Sequence, residues 1–117
     1  MATKVPWPVK TGDTETITFV WPGAVIVGAT YRCHLRAVKG APGEPLAVAN
    51  VLSAVQEVAP DLPTTPGRVA VTASLTPTQT RGLQARKTAW YDFEENAGGT
   101  VSTLFEGPVD IDLDVTV

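Results

Sequence analysis

Apolar and polar residues alternate with a period of two along most of the chain, the pattern of strands with one buried face. The alternation runs through six segments rich in β-branched and aromatic side chains: residues 14–21, 30–38, 69–75, 89–93, 101–105 and 109–117. Gly and Pro pairs such as Pro22-Gly23 and Gly107-Pro108 mark turns between segments. The inward positions predict a core, formed by Ile17, Phe19, Tyr31, Leu35, Val71, Tyr91, Phe93, Ile111 and Leu113.

One short helical turn is predicted between residues 75 and 84. Thr76 can cap it, Pro77 suits the first helical position, and Gln79 completes a T-x-x-Q capping box. Leu83 would then anchor the turn to the core. The segment 46–58 fits either a helical face or a strand, and its valine content favours strand.

Length and element pattern together predict one all-β domain. A chain of 117 residues supports one core but not two. Closely spaced strands, with no helix long enough for a βαβ crossover, predict an antiparallel sandwich or barrel. We expect this domain to span residues 11–117, preceded by an extended arm at residues 1–10.

Charge, hydropathy and cysteine content limit which partners and which folding compartment we expect. The 9 Lys and Arg against 12 Asp and Glu leave a formal charge of -3, without the positive excess that binds phosphate backbones. We therefore expect no nucleic-acid partner. No stretch approaches the roughly 18 apolar residues of a membrane span, so no membrane partner is expected. Because Cys33 is the only cysteine, no intramolecular disulfide forms, which suits folding in a reducing cytoplasm.

Three features of the strands invite a chemical interpretation. His34 has no neighbouring Ser or Asp arrangement of a triad, so we interpret it as a surface strand residue. Cys33, on the opposite face, would be a nucleophile only beside a base and is interpreted as buried. Asp110, Asp112 and Asp114 share one strand face, but such neighbours stand roughly 6.6 Å apart, too far for one strand to enclose a metal ion.

An acidic cluster of Asp92, Glu94 and Glu95 suggests a glycosidase, in which two carboxylates act across a cleft. The sequence supplies neither that cleft nor an aromatic platform around it. Charges that protect a sheet edge are the preferred interpretation. We therefore assign no catalytic, cofactor-binding or metal-binding residue, and we expect no enzyme.

The arm at residues 1–10 is apolar but lacks strand alternation, and its two prolines remove ladder donors. We therefore predict that Val5, Trp7 and Val9 make assembly contacts outside their own domain, with Trp90 as a further candidate. The alternative is that Trp7 folds back and caps one end of its own sandwich.

Two stretches, residues 10–37 and 75–117, resemble bacteriophage baseplate and tail proteins of the upper-baseplate N-terminal type. In the first, a G-D-T step leads into one strand and a G-A-T step into the next. The second has a capped turn, a Tyr-Asp strand, a Gly-containing hairpin, a Thr-Leu-x-x-Gly strand end and a closing Asp-x-Thr strand. The matching positions are Gly12-Asp13-Thr14, Gly28-Ala29-Thr30, Tyr91-Asp92, Thr103-Leu104 with Gly107, and Asp114-Val115-Thr116.

The resemblance implies an antiparallel immunoglobulin-like β-sandwich of about seven strands, a virion location and no catalytic residues. The expected function is that of a structural minor tail or baseplate protein, folded in the host cytoplasm. Its expected partners are other virion proteins and copies of itself in an oligomer or larger array. A capsid decoration protein of the head is the alternative, and a host-surface carbohydrate-binding module using Trp7 and Trp90 is a third possibility.

Overall fold

The computed structural model describes residues 2–59, 67–83 and 88–112, and within them the chain is mostly strand. The all-β class is therefore confirmed. The elements in chain order are β1 (Thr3–Lys4), β2 (Trp7–Lys10), β3 (Glu15–Pro22), β4 (Thr30–Arg36), β5 (Ala47–Val51), β6 (Val55–Val58), β7 (Arg68–Leu75), α1 (Pro77–Arg81), β8 (Thr88–Ala97) and β9 (Thr100–Asp112).

Hydrogen-bonded pairing joins the strands into a curled sheet of mixed direction. Its order is β1-β9-β8-β4-β5-β7-β3, with β2 also paired to β9 and β6 to β7. The sheet turns at β5, because Ala47 and Ala49 lie in the part paired with β4, whereas Asn50 and Val51 pair with β7. Both β1 and β2 run parallel to β9, and the other described pairs are antiparallel. The expectation of a purely antiparallel sheet is therefore wrong at the N-terminal edge.

Aromatic rings fill the space inside the curl, between β3 on one side and β8 and β9 on the other. The ring of Phe19 stacks on Phe93 with 4.3 Å between centroids, and it lies 4.9 Å from the ring of Phe105. Such ring pairs add to the stabilisation from burial alone. The contact between Phe19 and Phe93 thus ties the two halves of the curled sheet together.

The described residues that the alternation predicted for the core are buried or partly buried. Five are fully buried: Phe19, Leu35, Val71, Tyr91 and Phe93. Three are partly buried against that core: Ile17, Tyr31 and Ile111. Leu113 lies outside the described residues.

The capped turn and the valine-rich segment also have the structure that the sequence predicts. The backbone N–H of Gln79 donates to the Thr76 hydroxyl at 3.1 Å, and the Thr76 N–H donates to the Gln79 side chain at 2.9 Å. Leu83 is buried behind this turn. Segment 46–58 contains β5 and β6. The predicted capping box and the preference for strand are both confirmed.

The N-terminal residues form strands of the domain's own sheet and are not a separate arm. Trp7 is only 2% exposed and Val9 only 1%, and both belong to the central core. The Trp7 ring meets Tyr91 edge-on at 5.8 Å, and the Tyr91 hydroxyl donates to the Val5 carbonyl at 2.7 Å. The prediction that Trp7 and Val9 contact other chains is therefore wrong, as is the domain boundary at residue 10.

The two prolines do not prevent this pairing, because they occupy positions that face away from β9. The N–H groups of Val5 and Thr11 donate to carbonyls of β9, and Pro6 and Pro8 occupy the alternate positions between them. In an edge strand those positions need no donor. Gly107 allows the close approach, since a Cβ there would overlap the Val5 carbonyl.

Replacing Trp7 by Ala should lower the free energy of unfolding by about 3–5 kcal/mol, because the change leaves a large cavity in the core. The exposed neighbour Pro8 provides the matched control, and Pro8→Ala should change it by less than about 1 kcal/mol. Urea unfolding followed by far-UV circular dichroism measures both values. Equal and small effects of the two substitutions would show that Trp7 does not pack in the core.

Candidate interaction surface

One end of the molecule is a concave, uncharged surface formed by two loops. Residues 25–31 and 51–54 line a cavity of about 410 Å³, and none of these side chains carries a charge. The first group comes from the β3–β4 loop and the start of β4, and the second from the end of β5 and the β5–β6 loop. We call this surface the apolar end.

Large apolar side chains on the apolar end are exposed to solvent. Val27 is 98% exposed, and Ile26 and Leu52 are each about half exposed, at 47% and 56%. Isolated exposed apolar residues are ordinary, but a group of them around a concavity is typical of an interaction site. The apolar end is thus the best candidate contact surface among the described residues.

The side chain of Gln56 holds the β3–β4 loop in place. Its Oε1 accepts from the Val25 N–H at 2.8 Å, and its Nε2 donates to the carbonyls of Gly23 at 3.1 Å and Arg68 at 3.0 Å. A backbone hydrogen bond also holds the loop, from the Gly23 N–H to the Gly67 carbonyl at 3.1 Å. A loop fixed in this way loses little conformational entropy when a partner binds.

The β8–β9 hairpin lies beside the apolar end. Gly98 and Gly99, with φ of +60° and +88°, form its two-residue turn, which suits the type I′ geometry of tight hairpins. Tyr31 lines the apolar end and also a smaller hollow that reaches exposed Val101 of this hairpin. The apolar surface therefore borders the hairpin at Tyr31.

Charges near this surface are engaged with partners on neighbouring strands. The Tyr31 hydroxyl donates to Glu95 at 2.9 Å, and burial together with that carboxylate raises the pKa of Tyr31 to about 12. Arg32 bonds Glu94 at 3.1 Å. Because Glu94 and Glu95 are paired in this way, the surface left without a bonded charge is the uncharged lining of the cavity.

Of the four predicted assembly residues, Val5 and Trp90 are partly buried, and only Trp90 does not belong to the core or pack against it. Trp7 and Val9 are buried, and Val5 packs partly against the core. Trp90 is half-buried, with the ammonium groups of Lys4 and Lys39 at 5.8 and 5.6 Å from its ring centroid. Burial of Trp7 removes one of the two aromatic residues that a carbohydrate-binding patch would have used.

The buried cysteine and the strand histidine agree with their simpler interpretations. Cys33 is fully buried, and burial raises its thiol pKa to about 12, with a smaller contribution from the Asp92 carboxylate. His34 lies on the outer face of β4, directly opposite Asp92 in the sheet register. Among the described residues, no group of three or more His, Cys, Asp or Glu side chains could hold a metal ion. Asp114 lies outside the described residues.

The acidic cluster does not protect a sheet edge, because β8 is paired on both sides, with β4 and with β9. That interpretation of Asp92, Glu94 and Glu95 is wrong. Glu94 and Glu95 instead bond Arg32 and Tyr31 of the neighbouring strand. The Oδ1 atom of Asp92 is buried and accepts no hydrogen bond from a described residue.

Sequence reasoning missed the apolar end, although a signal was present. Residues 23–29 read Gly-Ala-Val-Ile-Val-Gly-Ala, an apolar run without alternation between two turn glycines. Such a run in a loop has no buried face to occupy. It therefore indicates an exposed apolar surface, a candidate for contact with another molecule.

Comparison of the chain with protein-family models and with curated proteins finds no match. The resemblance to upper-baseplate proteins therefore rests on the quoted residues alone. No helix in the described part of the chain is long and apolar enough to cross a membrane.

Asp92 predicts a pH dependence of stability. Burial raises the pKa of its carboxyl and Glu94 raises it further, whereas Arg36, His34 and Arg32 act in the opposite direction. A pKa that is higher in the folded state favours folding at low pH, and this contribution is lost as the pH rises through the folded value. Asp92→Asn, which stays neutral, should therefore raise the melting temperature at pH 7.

The advantage of Asp92→Asn over the wild type should shrink as the pH falls towards 3.8, the ordinary value for Asp. Exposed Asp110 on β9 provides the matched control, and Asp110→Asn should leave the melting temperature close to that of the wild type at pH 7. Calorimetry between pH 4 and pH 7 measures both variants. An advantage of Asp92→Asn that grows with acidity would contradict the assigned direction.

Proposed function

We propose that this chain is a non-enzymatic structural component of a bacteriophage virion, a minor tail or baseplate protein that acts through protein-protein contacts. The observation that carries the proposal is the apolar end, with Val27 98% exposed beside an uncharged cavity of about 410 Å³. The resemblance of residues 10–37 and 75–117 to baseplate and tail proteins supplies the virion context.

The energetics of the apolar end favour a protein partner with an uncharged apolar surface. Fully burying a Val, Ile or Leu side chain contributes about 1.5–3 kcal/mol, and Ile26, Val27 and Leu52 all have exposed area to bury. No charged side chain in the lining needs to be desolvated. The partner in this proposal is another virion protein, met after the chain has folded in the host cytoplasm.

The proposed fold is an immunoglobulin-like sandwich. One half of the curled sheet, β3, β7 and β6, corresponds to strands B, E and D of that fold, and β4, β8 and β9 correspond to C, F and G. The stacked rings of Phe19 and Phe93 join the B and F equivalents, which a disulfide links in antibody domains. The apolar end then belongs to the loops at one end of the sandwich, and antibody variable domains bind their antigens with loops of this kind.

The experiment compares two exposed valines in particles grown from a complemented phage. Val27→Asp should reduce the copies of this chain per particle by at least about 100-fold, because an unpaired charge would be buried in the contact at a cost of about 3 kcal/mol or more. Val38, 63% exposed in the β4–β5 connection, is the control, and Val38→Asp should leave the copy number unchanged.

Quantitative mass spectrometry of separated head and tail fractions gives the copy number and the location together. Wild-type chain in the tail fraction supports the proposal, and wild-type chain in the head fraction would replace it with the capsid decoration alternative. Absence of the chain from purified particles would overturn the virion assignment. Equal incorporation of the two aspartate variants would show that the apolar end is not the contact.

A further inference from the structure

The direction of the backbone in β3 follows from a single hydrogen bond on its neighbour. The Thr72 carbonyl of β7 accepts from the Leu52 N–H at 2.9 Å, on the side of β7 away from β3. Thr72 lies opposite Thr18 in the antiparallel register of β3 and β7. In such a ladder, opposite residues either bond each other or both face away. The N–H and C=O groups of Thr18 therefore face the outer edge of β3.

The same alternation assigns every second residue of β3 to that outer edge. Gly23, five residues beyond Thr18 and of opposite parity, donates its N–H to Gly67 on the β7 side, as the alternation requires. Thr16, Thr18 and Val20 therefore present their N–H and C=O groups outward. The strand order ends at β3, so the described residues supply no strand beyond it. These three residues form what we call the open edge.

Other edges of the sheet carry features that discourage pairing within their length, whereas β3 has its charge and its proline at its two ends, Glu15 and Pro22. The edge formed by β2 contains Pro8 and is preceded by Pro6. The short strand β6 has a register shift and the charged Glu57, and the Val48 carbonyl of β5 accepts from Gln79 at 2.8 Å. By contrast, β3 has eight residues, and its only charge is its first residue. A long edge whose interior contains neither proline nor charge is suited to pairing with another strand.

We propose that the open edge pairs with the same edge of a second copy of this chain, antiparallel about a two-fold axis at Thr18. In this register Thr18 lies opposite Thr18, and Thr16 lies opposite Val20. Every outward N–H and C=O of the three residues gains a partner, and Pro22 stays outside the bonded set. Inward-facing residues of both copies remain on one face of the joined sheet, because opposite residues in an antiparallel pair share a face.

The single charge of β3, at Glu15, allows a second copy to pair with the open edge without repulsion. The Glu15 residues of the two strands are six positions out of register, so they stand about 20 Å apart along the sheet. Their repulsion is screened at that distance, because the Debye length is about 8 Å in physiological salt. Thr and Val side chains opposite each other are favourable cross-strand pairs. The pairing uses a different surface from the apolar end and does not depend on the virion assignment.

Two substitutions at Thr18 distinguish the contribution of its outward N–H to dimerisation from that of its side chain. Thr18→Pro removes an N–H that faces the open edge and leaves the backbone bonds to β7 in place, so the dimer should weaken by more than about tenfold. Like Thr18→Val, it also removes the bond between the Thr18 and Thr72 hydroxyls, so the two variants differ in the N–H. Thr18→Val keeps the N–H and should dimerise like the wild type. Sedimentation velocity over a range of concentrations measures the dimer, and circular dichroism verifies that each variant is folded.

A charge-swap pair tests the two-fold register without proline. Thr18→Lys and Thr18→Glu each place like charges opposite each other across the axis, so each alone should dimerise about fivefold more weakly than the wild type. An equimolar mixture should recover the dimer as a mixed pair, visible by native mass spectrometry. Recovery in the mixture supports the proposal.

The proposal is overturned if the wild type remains a monomer up to roughly 1 mM, a limit that corresponds to about -4.1 kcal/mol of association. It is also overturned if the charged variants alone dimerise as well as the wild type, or if their mixture stays monomeric. Any of these results would leave the contact at the apolar end untouched, since Val27 and the open edge are tested by different variants.

Discussion

The contact of the N-terminal strand with the β8–β9 hairpin is the interaction on which the rest of the structure depends. Trp7 meets Tyr91 edge-on, and the Tyr91 hydroxyl is bonded to the Val5 carbonyl. This packing holds β2 against β9. One edge of the curled sheet is therefore formed by a strand that contains proline. It also completes the core, because the Tyr91 ring lies 5.7 Å from the ring of Phe19, which is on β3 at the other end of the strand order.

Closing one edge in this way leaves two surfaces with different properties for contacts. The apolar end is built by loops, held by Gln56, and offers side chains without charge. The open edge of β3 offers backbone donors and acceptors with little side-chain chemistry. In the two proposals, the first surface binds a different protein and the second binds another copy of this chain.

Much of the fold could be predicted from the sequence, because its information is local. Period-two alternation located the inward faces of β3, β4, β7 and β8, and Thr76 with Gln79 located the capped turn. The N-terminal strand could not be predicted in the same way. Its parallel partner lies about 100 residues further along the chain, and whether a proline breaks a ladder depends on which way its nitrogen faces. The apolar run at residues 23–29 was visible, but its exposure depends on tertiary structure.

Residue-resolved amide hydrogen exchange tests most directly whether the N-terminal strand belongs to the core. The Val5 N–H donates to the Glu106 carbonyl at 2.9 Å and the Thr11 N–H to the Asp112 carbonyl at 3.0 Å, at the two ends of β2. If the strand is integral, the Val5 amide should exchange as slowly as amides of β8, because both open only when the whole domain unfolds. Exchange of Val5 at the rate of an unstructured peptide, while β8 stays protected, would contradict this account.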